Sequence, residues 1–185
     1  QGPLTFSRAW AMPNHKTFSI KPIAQLIERH TKNVEGRILD PFANSCTIGN
    51  VTNDLDPGFD TDYTMAALDF LKMQDANSAE VVLYDPPYSP RQVSECYRSL
   101  GKTVNMKTTQ ASFWGNLKKE IARIVVPEGV VLSFGWNSGG IGKTLGFTLI
   151  EILLVPHGGA HCDTICTVEV RNRMNQEVFD FTGNK

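Results

Sequence analysis

At 185 residues, with 41% hydrophobic and 20% charged side chains and a net charge of −1, the chain carries enough apolar surface for one core of ordinary size. That composition excludes a disordered chain, and no apolar run reaches the roughly 18 to 20 residues of a membrane span. Four cysteines (Cys46, Cys96, Cys162, Cys166) follow no disulfide-scaffold spacing, so the expectation is a soluble, cytoplasmic protein with no membrane partner.

The first element in chain order is a short helix over Lys21 to His30. Ile23, Leu26 and Ile27 share one face, and Pro22 stands where a helix has no partner for an N–H. Arg37 to Asp40 predicts an apolar strand, Val51 to Asp54 a shorter one ending in an acid, and Thr64 to Met73 a helix or turn. Glu80 to Tyr84 (EVVLY) predicts a buried strand stopped by Pro86-Pro87. A helix over Ser112 to Val125 and a strand over Gly129 to Phe134 follow. Phe147 to Val155 and Asp163 to Val170 then form an antiparallel hairpin about a glycine-containing turn. Strands alternating with helices imply an α/β domain, a mostly parallel sheet covered on both faces, with the hairpin at one edge. No repeat, low-complexity tract or boundary interrupts residues 1–185, which predicts a single domain.

Charge is distributed unevenly along that chain. Asp54 to Asp85 holds eight acids and one base, whereas Pro86 to Arg123 holds seven bases and two acids. An acidic stretch suits a ligand with hydroxyls or a positive centre, and a basic one can follow a phosphate backbone. Two solvated helix faces would give the same pattern.

Ligands of such sheets sit over the carboxyl ends of the strands, and the chemistry-bearing residues do follow strands. Asp85-Pro86-Pro87-Tyr88 comes directly after EVVLY. The exocyclic amino group of a nucleobase is a poor nucleophile because its lone pair is delocalised into the ring. An enzyme that uses it must hold both N–H groups on acceptors. The Asp85 carboxylate and the Pro86 carbonyl supply two, consecutive prolines keep that carbonyl aimed, and Tyr88 offers a face for an extruded base. A proline-stiffened turn after a strand would have the same sequence.

The motif has company. Phe18-Ser19-Ile20-Lys21-Pro22-Ile23, Ile38-Leu39-Asp40-Pro41-Phe42-Ala43-Asn44-Ser45-Cys46-Thr47, Asn53-Asp54-Leu55-Asp56-Pro57 and Asp85-Pro86-Pro87-Tyr88 together resemble the successive motifs of amino-directed DNA methyltransferases. The order is similar to the gamma arrangement, cofactor motifs first, which implies adenine N6 more often than cytosine N4. Short phage-type adenine-specific enzymes look most alike, and for a phage-encoded chain the compartment is the host cytoplasm. The resemblance runs from Ser7 to about Arg171. It implies a Rossmann-like class I methyltransferase fold with a seven-stranded sheet, S-adenosylmethionine as cofactor and DNA as partner.

On that resemblance Asp85, Pro86, Pro87 and Tyr88 are catalytic. The cofactor site comprises Phe18, Ser19, Lys21, Asp40, Pro41, Phe42, Ala43, Asn44, Asp54, Leu55 and Leu68. Asp40 would meet the cofactor's ammonium directly or through water, Lys21 or Ser19 its carboxylate, and Asp54 both ribose hydroxyls. Phe42, Leu55 and Leu68 would enclose its adenine ring. Arg91, Lys102 and Lys107 would contact phosphates and Asn137 the target base. Asn44 and Cys46 replace the two glycines of the family's D-P-F-x-G-S-G-T, and Ala66 stands where the family carries an acid before an Ala-Leu pair. Both departures bear on cofactor affinity.

Only about two dozen residues separate Tyr88 from the helix at Ser112, which implies relaxed specificity, a very short recognition sequence or a partner subunit. Gly139 to Thr144 lacks the first glycine of a phosphate loop, where Asn137 stands instead. His157, His161, Cys162 and Cys166 form no complete tetrahedral set, so no metal is expected. An RNA adenine methyltransferase, a protein glutamine methyltransferase and a catalytically silent binding subunit are the other readings of the same motifs.

Overall fold

The computed structural model describes residues 3–101, 111–159 and 161–173. Its strands are β1 (Thr5–Arg8), β2 (Ile38–Asp40), β3 (Val51–Asp54), β4 (Tyr63–Thr64), β5 (Ala79–Tyr84), β6 (Val125–Gly135), β7 (Phe147–Val155) and β8 (Thr164–Arg171). The α-helices are α1 (Lys21–Thr31), α2 (Ala67–Met73), α3 (Pro90–Ser99) and α4 (Ala111–Ile124), with 3-10 turns at Thr17–Ser19 and Lys143–Leu145.

All eight strands form one sheet in the order β1-β7-β8-β6-β5-β2-β3-β4. Strand β8 runs antiparallel to both its neighbours, β6 and β7, and every other pairing is parallel. The predicted α/β architecture and C-terminal hairpin are thus present, but with eight strands rather than seven and with β1, not the hairpin, forming that edge of the sheet. The strand without a sequence signal is β1. It is an edge strand whose side chains are mostly exposed, so no apolar alternation marks it. Residues Tyr63 and Thr64 likewise form a two-residue edge strand, and α2 starts only at Ala67.

The central strand β5 lies between β2 and β6 with a helical layer on each face. Val82 and Tyr84 point into the core beneath α2 and α4, while Val81 and Leu83 point into the core beneath α1. Both faces being buried is why the strand reads as an unbroken apolar run. Helix α1 contributes Ile23, Leu26 and Ile27, none more than 1% exposed. Truncating Leu26 to alanine would cost about 2 to 5 kcal/mol through the cavity it leaves.

The stretch after Tyr88 is not a bare connector. Ser89 caps α3, its hydroxyl accepting from the Gln92 N–H at 3.2 Å, and Pro90 takes the first turn. That Ser-Pro start was legible, but α3 buries only Val93, so periodicity alone missed it.

Candidate active site

An open cleft of about 1260 Å³ lies over the carboxyl ends of β2, β3 and β5. The chain leaves β2 toward β3 on one side and returns to β5 on the other, so the sheet order reverses here and the following turns splay apart. The cleft floor is made by the turns after β2 (Pro41 to Ile48), β3 (Asp54 to Asp56) and β5 (Asp85 to Tyr88). Its walls are His15 to Ser19, the start of α2, one face of α3, and Ser112, Phe113 and Asn116 of α4. Among the described residues acids outnumber bases along it: Asp54, Asp56, Asp69, Asp85 and Glu95 against Lys16 and His15.

All four residues of the tetrapeptide line this cleft. The Tyr88 hydroxyl donates to Oδ1 of Asp85, and the Tyr88 N–H donates to Gln92 Oε1 at 2.6 Å. The Trp114 indole N–H donates to the Pro87 carbonyl at 2.9 Å, fixing the turn from α4. No described residue donates to the Pro86 carbonyl, so it is available as an acceptor beside the Asp85 carboxylate. Burial pushes the Asp85 carboxyl up to about 6, opposed by hydrogen bonds from the Tyr88 and Thr17 side chains. Tyr88 is pushed up as well, chiefly by burial and then by the Asp85 charge. Its ring packs against Trp136, with centroids 5.3 Å apart and planes tilted by 50°.

Of the eleven residues assigned to the cofactor, Phe18, Ser19, Pro41, Phe42, Ala43, Asn44, Asp54, Leu55 and Leu68 line the cleft. Both oxygens of Asp54 accept backbone N–H groups, from Asn44 at 2.8 Å and Asp56 at 2.9 Å. Each keeps a further lone pair for a hydroxyl donor. Asn44 sits at φ 50°, the left-handed conformation that the glycine of the related motif would take, and asparagine adopts it at small cost. Cys46 folds its thiol back to accept the Ile48 N–H at 3.4 Å, leaving it on the cleft wall. Gly49, outside the cleft lining, is where this loop packs tightly on β2. A Cβ there would stand 3.0 Å from the Asp40 Cβ and 3.1 Å from the Ile38 carbonyl.

Asp40 is wholly buried beneath this loop rather than in the cleft wall. One oxygen accepts the Phe42 N–H at 3.1 Å, and Oδ2 has no partner. Burial, followed by the charges of Asp85 and Asp54, pushes its carboxyl up to about 8. Lys21 is exposed at the start of α1 and does not line the cleft. Asn137 also lies outside the lining, its side-chain oxygen accepting the Gly139 N–H at 2.9 Å. Arg91 is exposed on α3 and paired with Glu95 at 2.8 Å; Lys102 and Lys107 lie outside the described residues.

Several lining residues went unread in the sequence, among them Thr17, Gln92 and Phe113, and Asp69, expected to point elsewhere on its helix, lines the cleft as well. Asp69 follows Ala66 by one helical turn and faces the cleft, so an acid is present near the position the related motif occupies. The glycine-rich Gly139 to Thr144 segment is a turn over a buried carboxylate. Glu169 accepts the N–H groups of Ile141 and Gly142, and a Cβ at Gly140 would collide with it at 2.1 Å. Among the described residues no group of three or more His, Cys, Asp or Glu is arranged to hold a metal ion. Cys162 is exposed and precedes β8, whereas Cys166 is buried within it, so the two do not share a strand face. His157 is a structural latch. Its Nδ1–H donates to the Ala11 carbonyl at 2.9 Å, and Nε2 meets the Thr164 hydroxyl at 2.8 Å.

No family model matches this sequence, and no curated protein matches it at the sequence level. Solved structures do match the fold. The 1,6-didemethyltoxoflavin-N1-methyltransferase of Burkholderia thailandensis, with bound 1,6-didemethyltoxoflavin and S-adenosylhomocysteine, superimposes with a TM-score of 0.56 at 11% identity, covering 82% of this chain and 77% of its own. The N-methyltransferase NodS of Bradyrhizobium japonicum WM9, in complex with S-adenosylhomocysteine, gives 0.51 at 12% identity over 82% and 86%. The [4+2]-cyclase SpnF gives 0.50 at 11% identity over 89% and 87%. The fold is the Rossmann-like fold of class I methyltransferases. A cyclase shares it, so fold alone leaves the reaction open and the site must carry the argument.

Proposed function

We propose that this chain transfers a methyl group from S-adenosylmethionine to an exocyclic amino nitrogen of a nucleic-acid base, N6 of adenine in DNA. The observation that carries the reading is the end of β5, where the Asp85 carboxylate, the unpartnered Pro86 carbonyl and the Tyr88 ring face one cleft. Two acceptors beside an aromatic face fit an extruded base that presents an amino group.

The remaining cleft fits the cofactor. A sulfonium and an ammonium are cations, and among the described lining residues the charged side chains are mostly acids. Asp40 supplies a buried oxygen without a partner directly below the turn after β2. Asp54 retains lone pairs for the ribose hydroxyls, with Phe42, Leu55 and Leu68 as an apolar enclosure for the adenine and Ser19 near the carboxylate. Two N-methyltransferases of this fold are in complex with S-adenosylhomocysteine, which supports the same cofactor here. When bound, S-adenosylmethionine supplies an electrophilic methyl group.

The chain's own groups then orient the acceptor. The incoming base takes over the Asp85 oxygen now held by Tyr88. Its amino hydrogens would be held by Asp85 and Pro86, which leaves the nitrogen lone pair free to meet an electrophile. Ionised Asp85 favours the positive charge that develops on nitrogen, and the pre-aimed Pro86 carbonyl needs no reorganisation. Titration with S-adenosylmethionine, then a labelled-methyl assay on DNA, RNA and protein, tests the reading. Label entering DNA at adenine N6 supports it; label confined to protein, or no cofactor binding, ends it.

A further inference from the structure

Between β1 and the cleft the chain forms an extended strap across the carboxyl end of the sheet. Strand β1 runs parallel to β7 with Arg8 opposite Leu154, so the strap starts at the end of the molecule where the cleft opens. It is held by Ala9 N–H to Leu154 (3.0 Å), Ala11 N–H to Pro156 (3.2 Å) and the His157 latch on the Ala11 carbonyl. Ala9 and Ala11 pack toward the α1 side of the core. The alternate residues therefore face out: Arg8, Trp10, Met12 and Asn14 are exposed, Trp10 at 60%. His15 and Lys16 then enter the cleft wall, and exposed Lys21 follows. No acid precedes Glu28 in the sequence, so the charges the strap itself carries are cationic; exposed Asp163, which accepts the His157 N–H at 3.3 Å, is an acid beside its latch.

The cleft it leads into is acidic. A phosphate backbone is repelled from that interior and must stay on the rim while a single base enters. Cations interleaved with an exposed indole on a fixed extended segment match what a nucleic-acid strand needs, charge for the phosphates and a platform for a base. We infer that the strap is the nucleic-acid-binding rim of this protein, with phosphates on Arg8, Lys16 and Lys21 and a base stacked on Trp10. The inference rests on the proposed function for its choice of partner.

The test is fluorescence anisotropy of a labelled single-stranded oligodeoxynucleotide with the full chain across a salt series. Replacing Arg8, Lys16 and Lys21 together by serine should weaken binding alike for all sequences and lower the salt slope by about 2, near 0.7 for each lost phosphate contact. Trp10→Ala should weaken it about five- to a hundredfold. Trp10→Phe should recover most of that loss and reduce the tryptophan quenching that binding produces. These side chains point outward, and thermal melting checks that each variant folds; Lys32→Ser, at the far end of α1, should bind like wild type. A salt slope and affinity unchanged in the triple variant overturn the inference, as does binding to phosphatidylserine vesicles with none to oligonucleotides. Binding through the strap without methyl transfer sustains it while the proposed reaction falls. Methyl transfer with unaltered affinity in the variants does the reverse, and absence of both binding and transfer refutes the two together.

Discussion

Asp85 is where a pH profile and a substitution interrogate the same atom. Burial raises its carboxyl to about 6, so the group is about 90% ionised at pH 7 and about 10% ionised at pH 5. Only the ionised carboxylate both accepts an amino hydrogen and favours the positive charge forming on nitrogen. The single-turnover rate at saturating cofactor should therefore drop about ninefold from pH 7 to pH 5, with its midpoint near 6. Asp85→Asn keeps one acceptor oxygen but loses the charge. A slowdown of at least about a hundredfold is expected, comparable to removing one pre-organised electrostatic group, and the acid limb should vanish. Asp85→Ala should abolish transfer while cofactor affinity stays close to wild type, since the cofactor cleft is built mainly from other residues. Rapid-quench transfer of labelled methyl to an adenine-containing oligonucleotide, with calorimetric binding of the cofactor in parallel, measures all of this. A wild-type rate in Asp85→Ala would reduce the tetrapeptide to a stiff turn and refute the assignment.

Asp40 has a folded pKa near 8 against an ordinary value of 3.8, so its neutral form favours the folded state and that stability is complete below 3.8. Between those values it should be lost at up to about 1.4 kcal/mol per pH unit; denaturant unfolding of Asp40→Asn should show a flatter pH dependence, and parallel curves would count against the buried, unpartnered Oδ2. Asp54→Ala should weaken cofactor binding by about 1 to 3 kcal/mol through two lost ribose hydrogen bonds, and an unchanged dissociation constant by calorimetry removes Asp54 from the pocket. Gly140→Ala should lower the melting temperature, because its φ of 47° is strained for alanine and the new methyl meets the Glu169 carboxylate; wild-type melting would show that this loop yields freely.

Much of the fold was legible because its signals are local. Fully buried central strands read as unbroken apolar runs, as in Ala79–Tyr84, and α1 shows its buried face at helical spacing. Strand β1 was not legible, since what makes it a strand is the edge of β7, some 140 residues away, and not its own exposed side chains. The same distinction runs through the site. Asp85-Pro86-Pro87-Tyr88 and the turn residues after β2 and β3 belong to contiguous motifs, so their placement over the sheet could be expected from the strands that precede them. Lys21 and Asn137 also sit in such motifs, yet the structure leaves both out of the cleft wall, because a helix start and a Gly139 hydrogen bond decide where those side chains go.

The sequence by itself determined the alternation of strands and helices, the two prolines that stiffen the turn after β5, and the absence of acids before Glu28. Each is a property of neighbouring residues. Tertiary structure alone decided that Asp40 lies buried beneath the turn, that Gly49 packs tightly on β2, and that Glu169 holds the glycine-rich loop. It also decided that a basic strap ends at an acidic cleft. Those features depend on segments far apart in the chain meeting at defined distances, and desolvation, steric contact and hydrogen bonding across such meetings have no counterpart in a linear sequence.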